Sequence, residues 1–150
     1  MPVFDYRFDV PASLEEVRAY HHDTAALKRL TPPPVIVQLH DIEPMAEGSI
    51  SRFTLWMGPL PIRWTAVHRN VDPNGFTDIQ TDGPAKKWEH THTFTAKSEN
   101  LTEVHEHIEY EHLPGSRGWL TRVLFSPLNL NSMFAYRRWR TRRDLARRGT

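Results

Sequence analysis

The segment that decides the predicted fold is Gly83-Pro84-Ala85-Lys86-Lys87-Trp88-Glu89-His90-Thr91-His92-Thr93-Phe94. After the Gly-Pro turn, large or imidazole side chains occupy every second position, with Glu or Thr between them. A period of two predicts a β-strand with one sheltered and one solvated face. The sheltered face carries two imidazoles between two aromatic rings. Because buried polar groups need hydrogen-bond partners, we interpret this strand as one wall of a pocket.

The composition is typical of a globular protein. The chain has 150 residues, of which 39% are hydrophobic and 25% charged, so one domain spanning residues 1–150 can bury its own core. The absence of cysteine from the sequence excludes disulfides, thiolate catalysis and cysteine-ligated metals. No segment approaches the length of a membrane span, and the N-terminal residues alternate like a strand rather than a signal peptide. We therefore expect a cytoplasmic location.

The net charge of +1 conceals an uneven distribution. Residues 137–148 contain seven arginines and one aspartate, a local charge of +6, so the remaining residues together carry −5. This pattern predicts a solvated helix end, where cations complement the helix dipole. Binding of RNA, anionic lipid or an acidic protein through Arg137–Arg148 is the alternative, and no DNA binding is expected.

The predicted order of elements is one strand, two short helices, six strands and a long C-terminal helix. The first strand covers Val3–Val10, and Ser13 and Glu16 form a capping box at the start of the next helix. The second short helix begins at Asp23 or Thr24. Turn residues separate the later strands, which favours antiparallel hairpins. These six strands are predicted at residues 35–41, 49–57, 62–71, 76–81, 87–97 and 101–112.

The last part of the sequence changes to a helical period. Its apolar stripe predicts a long helix that is either kinked or begins again at Ser126-Pro127. The stripe needs an apolar surface, and the concave face of the sheet is the large one available. The predicted stripe consists of Leu120, Val123, Leu124, Pro127, Leu128, Leu130, Phe134 and Leu145.

The pairing of the last two strands determines which side chains share a face. Burial of the large apolar residues of both strands requires a register in which paired residue numbers sum to about 198. This register places His92 opposite Glu106. A shift by one residue would pair the imidazoles of the two strands but would expose three large side chains. We therefore expect His105 and His107 on the outer face.

Four motifs carry a resemblance to a known family: Gly83-Pro84-x-x-x-Trp88-x-His90-x-His92-x-Phe94, Arg63-Trp64, Phe76-x-Asp78-x-Gln80 and Phe134-x-Tyr136-Arg137. With the order of elements, they resemble the SRPBCC (START-like, Bet v 1-like) superfamily over essentially the whole chain. The similarity is greatest to its bacterial ligand-binding or cyclase/dehydrase-like branch. It implies an α+β helix-grip fold, in which a curved seven-stranded antiparallel sheet wraps around a long C-terminal helix, with two short helices after the first strand.

The inward-facing side chains form the predicted ligand site. We expect a small apolar or aromatic ligand, and the resemblance implies a lipid, a quinone or a polyketide-like molecule. The alternative is a closed core in which Glu106 and Asp78 satisfy the histidines, but so many polar groups on one concave face favour a pocket. The predicted ligand-contacting residues are Trp64, His68, Phe76, Asp78, Gln80, Trp88, His90, His92, Phe94, Glu106 and Tyr110.

Two chemical alternatives use the same histidines. In a polyketide-cyclase-like enzyme, His92 and Glu106 would form a proton shuttle, because a carboxylate-oriented imidazole transfers protons near neutral pH. In a metal site, His90, His92 and Glu106, with His68, would supply the ligands. The spacing does not match a cupin metal motif, and the resembling family does not generally bind metals. We therefore predict neither a metal nor a cofactor.

Overall fold

The structure is a computed structural model and describes residues 2–23 and 25–148. The strands within these residues are β1 (Val3–Val10), β2 (Ile36–Ile42), β3 (Ile50–Met57), β4 (Leu60–Asp72), β5 (Gly75–Asp82), β6 (Lys87–Ser98) and β7 (Leu101–Glu111). The helices are α1 (Leu14–His22), α2 (Ala26–Leu30), α3 (Trp119–Leu124) and α4 (Pro127–Arg148), and a 3-10 turn (Gly115–Gly118) precedes α3. Within the described ranges, none of the helices combines the length and the apolar character needed to cross a membrane.

The strands form one antiparallel sheet in the order β1-β7-β6-β5-β4-β3-β2. Consecutive strands from β2 to β7 are neighbours, and β1 completes the sheet beside β7. Helix α4 packs on the concave side, where the Phe134 ring centroid lies 5.4 Å from that of Phe4 and 5.5 Å from that of His90. The predicted α+β helix-grip fold is thus confirmed.

The predicted register between β6 and β7 is also confirmed. His92 pairs with Glu106 in the ladder, and Trp88 pairs with Tyr110. Burial selected this register, because it sends Val104, Ile108 and Tyr110 inward. His105 and His107 lie on the outer face, as expected from the same alternation.

The first two helices differ in how their starts are stabilised. Ser13 Oγ accepts from the Glu16 backbone at 3.1 Å, which confirms the predicted capping box of α1. Helix α2 begins at Ala26, later than the predicted start at Asp23 or Thr24. The Asp23 carboxylate instead accepts from a backbone nitrogen in the turn before α2, and Thr24 lies outside the described residues.

The C-terminal helix begins again at Pro127, as one of the two predicted arrangements requires. Helix α3 ends at Leu124, and Ser126 Oγ accepts from the backbone nitrogen of Asn129 at 3.3 Å, in the manner of an N-cap. Proline is suited to the first helical position, because the backbone N–H that it lacks would have no acceptor within the helix.

The predicted apolar stripe was wrong in its first half. Val123 and Leu128 are 56% and 76% exposed, because the interruption between α3 and α4 changes which face of the helix meets the sheet. The buried stripe begins at Leu130 and continues through Phe134 to Leu145, which are at most 3% exposed. The buried stripe of the C-terminal region therefore belongs to α4 and not to α3.

Candidate functional site

A cavity of about 190 Å³ lies between the concave face of the sheet and helices α1, α2 and α4. Strands β3 to β6 supply its floor, and the apolar side of α2 covers it through residues such as Leu27 and Leu30. Asp23 and Glu43, which also belong to its wall, are exposed to solvent. These two residues mark the mouth of the cavity, between α2 and the segment that follows β2.

One end of the cavity is aromatic. The rings of Trp64 and Trp88 meet edge to face with centroids 5.5 Å apart. Phe125 lies 4.5 Å from Trp88, and Phe53 stacks on Trp64 at 6.0 Å. Four aromatic side chains from three strands and the α3–α4 junction thus form a surface suited to an apolar or aromatic group.

The wall becomes polar along the same strands. Two residues beyond the buried Ala66, β4 places His68 in the wall, with Nε2 at 2.9 Å from Asp78 Oδ1. On β6, His92 Nε2 donates to Asp78 Oδ2 at 3.0 Å. The hydroxyl of Ser49 holds the other nitrogen of the His68 ring at 3.0 Å. One carboxylate on β5 therefore contacts two imidazoles at the polar end, through a hydrogen bond to His92 and a contact with His68 that lacks hydrogen-bond alignment.

A second carboxylate lies beneath the histidines of β6. Glu106 is 1% exposed, and its Oε2 accepts from His90 Nε2 at 2.6 Å and lies 2.7 Å from His92 Nδ1. The second contact is an ion pair and lacks the alignment of a hydrogen bond. The two imidazole rings are 3.9 Å apart. Glu106 therefore supports both rings from behind and does not belong to the cavity wall.

These contacts assign a charge to each imidazole. Both ring nitrogens of His92 lie close to carboxylates, Nε2 through a hydrogen bond and Nδ1 through an ion pair, and this environment favours the imidazolium. Burial lowers the pKa of His92, but Glu106 and Asp78 outweigh burial and raise the pKa to about 9. Burial and the charged neighbour lower the pKa of His90 to about 4. At neutral pH one ring is therefore charged and the other neutral.

The carboxylates remain ionised despite their burial. Burial alone would raise the pKa of Glu106, but the adjacent imidazoles hold it well below its usual range. The pKa of Asp78 is lowered in the same way, since the attraction of His92 exceeds the effect of burial.

Sequence reasoning did not identify His21, which lies in the cavity wall on α1. Its Nδ1 donates to the carbonyl of Val17 at 2.9 Å, so Nε2 is the acceptor nitrogen of the neutral ring. Burial lowers the pKa of His21 to about 4, which keeps the ring neutral. The available signal was its position four residues after the buried Val17, on the same helix face.

The second residue that sequence reasoning missed is Arg137. It was assigned to the solvated helix end, but the structure places it in the cavity wall. Its guanidinium carbon lies 5.1 Å from the Phe134 ring centroid, and its Nε donates to the Leu30 carbonyl at 3.2 Å. The reason is helical spacing: Arg137 lies three residues after Phe134 and four before the fully buried Thr141.

Among the described side chains, the arginines after Arg137 lie outside the cavity wall. Arg140 pairs with Asp144 at 3.0 Å, and Arg142 Nε donates to the Asp9 carbonyl at 2.7 Å. Arg143 lies over the Trp139 ring, 5.2 Å from its centroid. The interpretation as a solvated helix end is therefore wrong for Arg137 and stays a prediction for the arginines that follow it.

The structure brings most of the predicted site residues together. Seven of the eleven line the cavity: Trp64, His68, Phe76, Asp78, Trp88, His90 and His92. The other four, Gln80, Phe94, Glu106 and Tyr110, lie outside its wall.

The four residues outside the wall have other partners or are covered. The amide of Gln80 donates to a backbone carbonyl of the β5–β6 loop at 2.7 Å, which removes it from the cavity. His21 covers Phe94 with a ring separation of 4.8 Å. Tyr110 packs against Trp88 with ring centroids 6.0 Å apart. Strand parity predicts all four residues as ligand contacts, because it determines which face of the sheet a side chain occupies. It does not determine whether another side chain lies between that residue and the cavity.

Three side chains at the polar end of the cavity also have the chemistry of metal ligands. Asp78, His90 and His92 offer ligand atoms within 4.8 Å of one another. However, His90 Nε2 and both nitrogens of His92 already contact carboxylates. A metal ion would have to displace these contacts, so the expectation that no metal is bound stays a prediction.

Comparisons with known proteins identify the fold. No protein-family model and no curated protein matches the sequence. The solved structures that resemble the chain include the Zhui aromatase/cyclase from Streptomyces sp. R1128, with a TM-score of 0.78 at 13% identity, covering 99% of this chain and 96% of that one. A START superfamily protein from Mycobacterium smegmatis has a TM-score of 0.69 at 14% identity, with 94% and 97% covered.

A further similar structure is norcoclaurine synthase from Thalictrum flavum, solved in complex with dopamine and hydroxybenzaldehyde. Its TM-score is 0.69 at 16% identity, with 97% of this chain and 87% of that chain covered. At identities this low, the structural similarity establishes the fold alone. These proteins share the helix-grip fold that the resemblance to the SRPBCC superfamily implied.

Proposed function

We propose that this protein binds a small molecule with an apolar or aromatic body and a polar end, in the cavity between the sheet and α4. The observation that carries the proposal is the change of polarity along β4 and β6. Trp64 and Trp88 lie at one end of the cavity, and His68 and His92 lie at the other. A molecule with the same polarity would bury its apolar surface and keep its hydrogen bonds.

The cavity volume restricts the size of the ligand. Its volume is about 190 Å³. An engineered protein cavity that holds benzene is only slightly smaller, at about 150 Å³. A ligand of one or two rings fits this space better than a full-length lipid. The fold neighbour norcoclaurine synthase was solved with two small aromatic molecules, which supports this size class.

The proposal is tested by filling the cavity from within. Ala66 is a buried part of the wall, and Val67 is the next residue of β4, on its outer face. We expect saturable one-site binding of indole in calorimetric titrations of the wild type and of Val67→Phe. Ala66→Phe should abolish it while remaining folded by circular dichroism. Undiminished binding to Ala66→Phe would contradict the proposed cavity.

A catalytic role is the second candidate, and the position of His92 favours it. This imidazole lines the cavity and lies 2.7 Å from Glu106, the pair predicted to form a proton shuttle. Because His92 is an imidazolium at neutral pH, it would act as the acid and protonate a ligand carbonyl oxygen, while water in the cavity would accept the proton that leaves the adjacent carbon. The Zhui aromatase/cyclase shares this fold, but fold alone does not establish a reaction.

The catalytic candidate predicts a measurable proton transfer. A cyclase-like protein should accelerate hydrogen–deuterium exchange at the carbon next to the carbonyl of phenylacetone, followed by NMR. His92→Gln should remove the acceleration, whereas His107→Gln, on the outer face, should retain it. Exchange that the wild type does not accelerate would leave binding as the function.

A further inference from the structure

We infer that the ligand carries an anionic oxygen group, such as a carboxylate, and that Arg137 binds it. This inference rests on the proposed function, because it names the chemistry of the ligand's polar end. It also assigns a task to a residue of the cavity wall that the sequence had placed on a solvated surface.

The first argument is that Arg137 has no anionic partner of its own. Within the described part of the chain, no carboxylate oxygen lies within the ion-pair limit of 4.0 Å from its guanidinium. Leu30 O, at 3.2 Å from Nε, is its hydrogen-bond partner among these residues. Both terminal nitrogens therefore retain their donors, in the planar fork that matches a carboxylate.

The second argument is the packing of the guanidinium. Arg137 lies between the buried residues Phe134 and Thr141 on α4, and its guanidinium carbon lies over the Phe134 ring at 5.1 Å. This packing holds the side chain in the wall instead of letting it extend into solvent. A cation that is partly desolvated in this way gains more from an anionic partner than a surface arginine does.

The third argument disfavours a cationic ligand group, because the carboxylates of the wall already face imidazoles or hydrogen-bond donors. Both oxygens of Asp78 face imidazoles at 2.9 and 3.0 Å. Asp23, at the mouth, accepts from a backbone nitrogen and a neighbouring arginine. Glu43 accepts from a backbone nitrogen at 2.7 Å. An amine would have to compete with His68 for Asp78 Oδ1, which has no aligned hydrogen bond, and would meet the charges of Arg137 and His92.

The test compares three probes with one phenylpropyl body: hydrocinnamate, its neutral amide and phenylpropylamine. Calorimetric titration at neutral pH gives a dissociation constant for each. We expect hydrocinnamate to bind at least tenfold more tightly than the amide, equivalent to about 1.4 kcal/mol, and the amine to bind more weakly than either. Equal binding of carboxylate and amide would overturn the inference and leave the proposed function intact. Binding of none of the three would overturn both.

Variants then assign the preference to one residue. Arg137→Met keeps the apolar stem and should reduce the preference for hydrocinnamate to less than about threefold, with little effect on the amide. Arg137→Lys, which keeps the charge, should restore part of the preference. Arg138→Met removes the same charge from the next, exposed position and should change nothing. An unchanged preference in Arg137→Met would overturn the assignment. If that variant does not fold, the wild-type comparison of probes decides.

Discussion

The Nδ1 atom of His92 lies 2.7 Å from Oε2 of Glu106, directly across the β6–β7 ladder. The register of β6 and β7 therefore determines which carboxylate lies beside an imidazole of the cavity wall. The strand that supplies the carboxylate does not itself reach the cavity at this point, since the two imidazoles of β6 cover it. The polar end of the site is therefore held in place by a buried charge behind it.

Replacing Glu106 with Gln should lower the free energy of unfolding by about 3 kcal/mol, because it removes the fully buried counter-charge of the His92 imidazolium and leaves Asp78 as its remaining carboxylate. Urea denaturation at neutral pH measures the change. Glu103→Gln is the matched control: Glu103 lies on the same strand but faces outward, where its ion pairs with Arg7 and Lys97 are exposed. The control should cost less than about 1 kcal/mol. Equal losses in both variants would contradict the buried ion pair.

The stability of the protein should decrease on both sides of a maximum near the ordinary histidine pKa. The pKa of His92 rises from 6.5 to about 9 on folding, so the folded state holds an extra proton in this interval. Its contribution, up to about 3 kcal/mol, is complete below the unfolded pKa and is lost as the pH rises through the folded pKa. For His21 and His90, whose pKa values fall to about 4, stability is lost as the pH decreases below 6.5.

Urea denaturation across this pH range tests the profile. His92→Gln should remove most of the alkaline decrease. His107→Gln serves as its control, because the pKa of His107 is also raised by a hydrogen bond to Asp5, but the pair lies on the exposed outer face. An alkaline decrease that persists in His92→Gln would show that this imidazole is not its source.

Phe134→Ala should destabilise the fold by about 3–5 kcal/mol, since the ring is completely buried and its removal leaves a cavity beneath α4. Leu128→Ala, one and a half turns earlier on the same helix and 76% exposed, should change the free energy of unfolding by less than about 0.5 kcal/mol. Thermal or urea denaturation compares the two. Similar effects would mean that α4 does not pack on the sheet as described.

Gly75→Ala should disturb the polar end of the cavity from a distance. A Cβ atom at Gly75 would lie 2.0 Å from the carbonyl oxygen of His92, and its φ of +153° is one that L residues rarely adopt. We expect a loss of more than about 3 kcal/mol together with weaker ligand binding. Gly58→Ala, with φ of +59° and no atom within 4 Å of the added Cβ, should cost about 1 to 2 kcal/mol and leave binding unchanged.

The purified protein should contain no stoichiometric zinc, iron or manganese. The ring nitrogens of His90 and His92 that face Glu106 and Asp78 are held by those carboxylates, which compete with a metal ion for the same atoms. Elemental analysis measures the content directly. About one equivalent of metal in the wild type, lost in His90→Ala, would overturn this prediction.

The sequence by itself determined the sheet, its register and the faces of its strands. Strict alternation in β6 and the burial of three large apolar residues in β7 allow one pairing, and this pairing places His92 opposite Glu106. The outward position of His105 and His107 follows from the same argument. These features depend on local periodicity and on apolar burial, both of which are visible in a single chain.

Only the tertiary structure decided which inward side chains reach the cavity. Parity places Phe94 and Glu106 on the concave face, but whether they are covered depends on a helix residue, His21, and on neighbouring rings of the same strand. Helical spacing from Phe134 and Thr141 places Arg137 beside the buried stripe, but its position in the cavity wall depends on how α4 packs against α2 and the sheet. Periodicity assigns a residue to one face of its strand or helix. Whether that residue reaches the cavity depends on contacts between segments far apart in the chain, which no local pattern specifies.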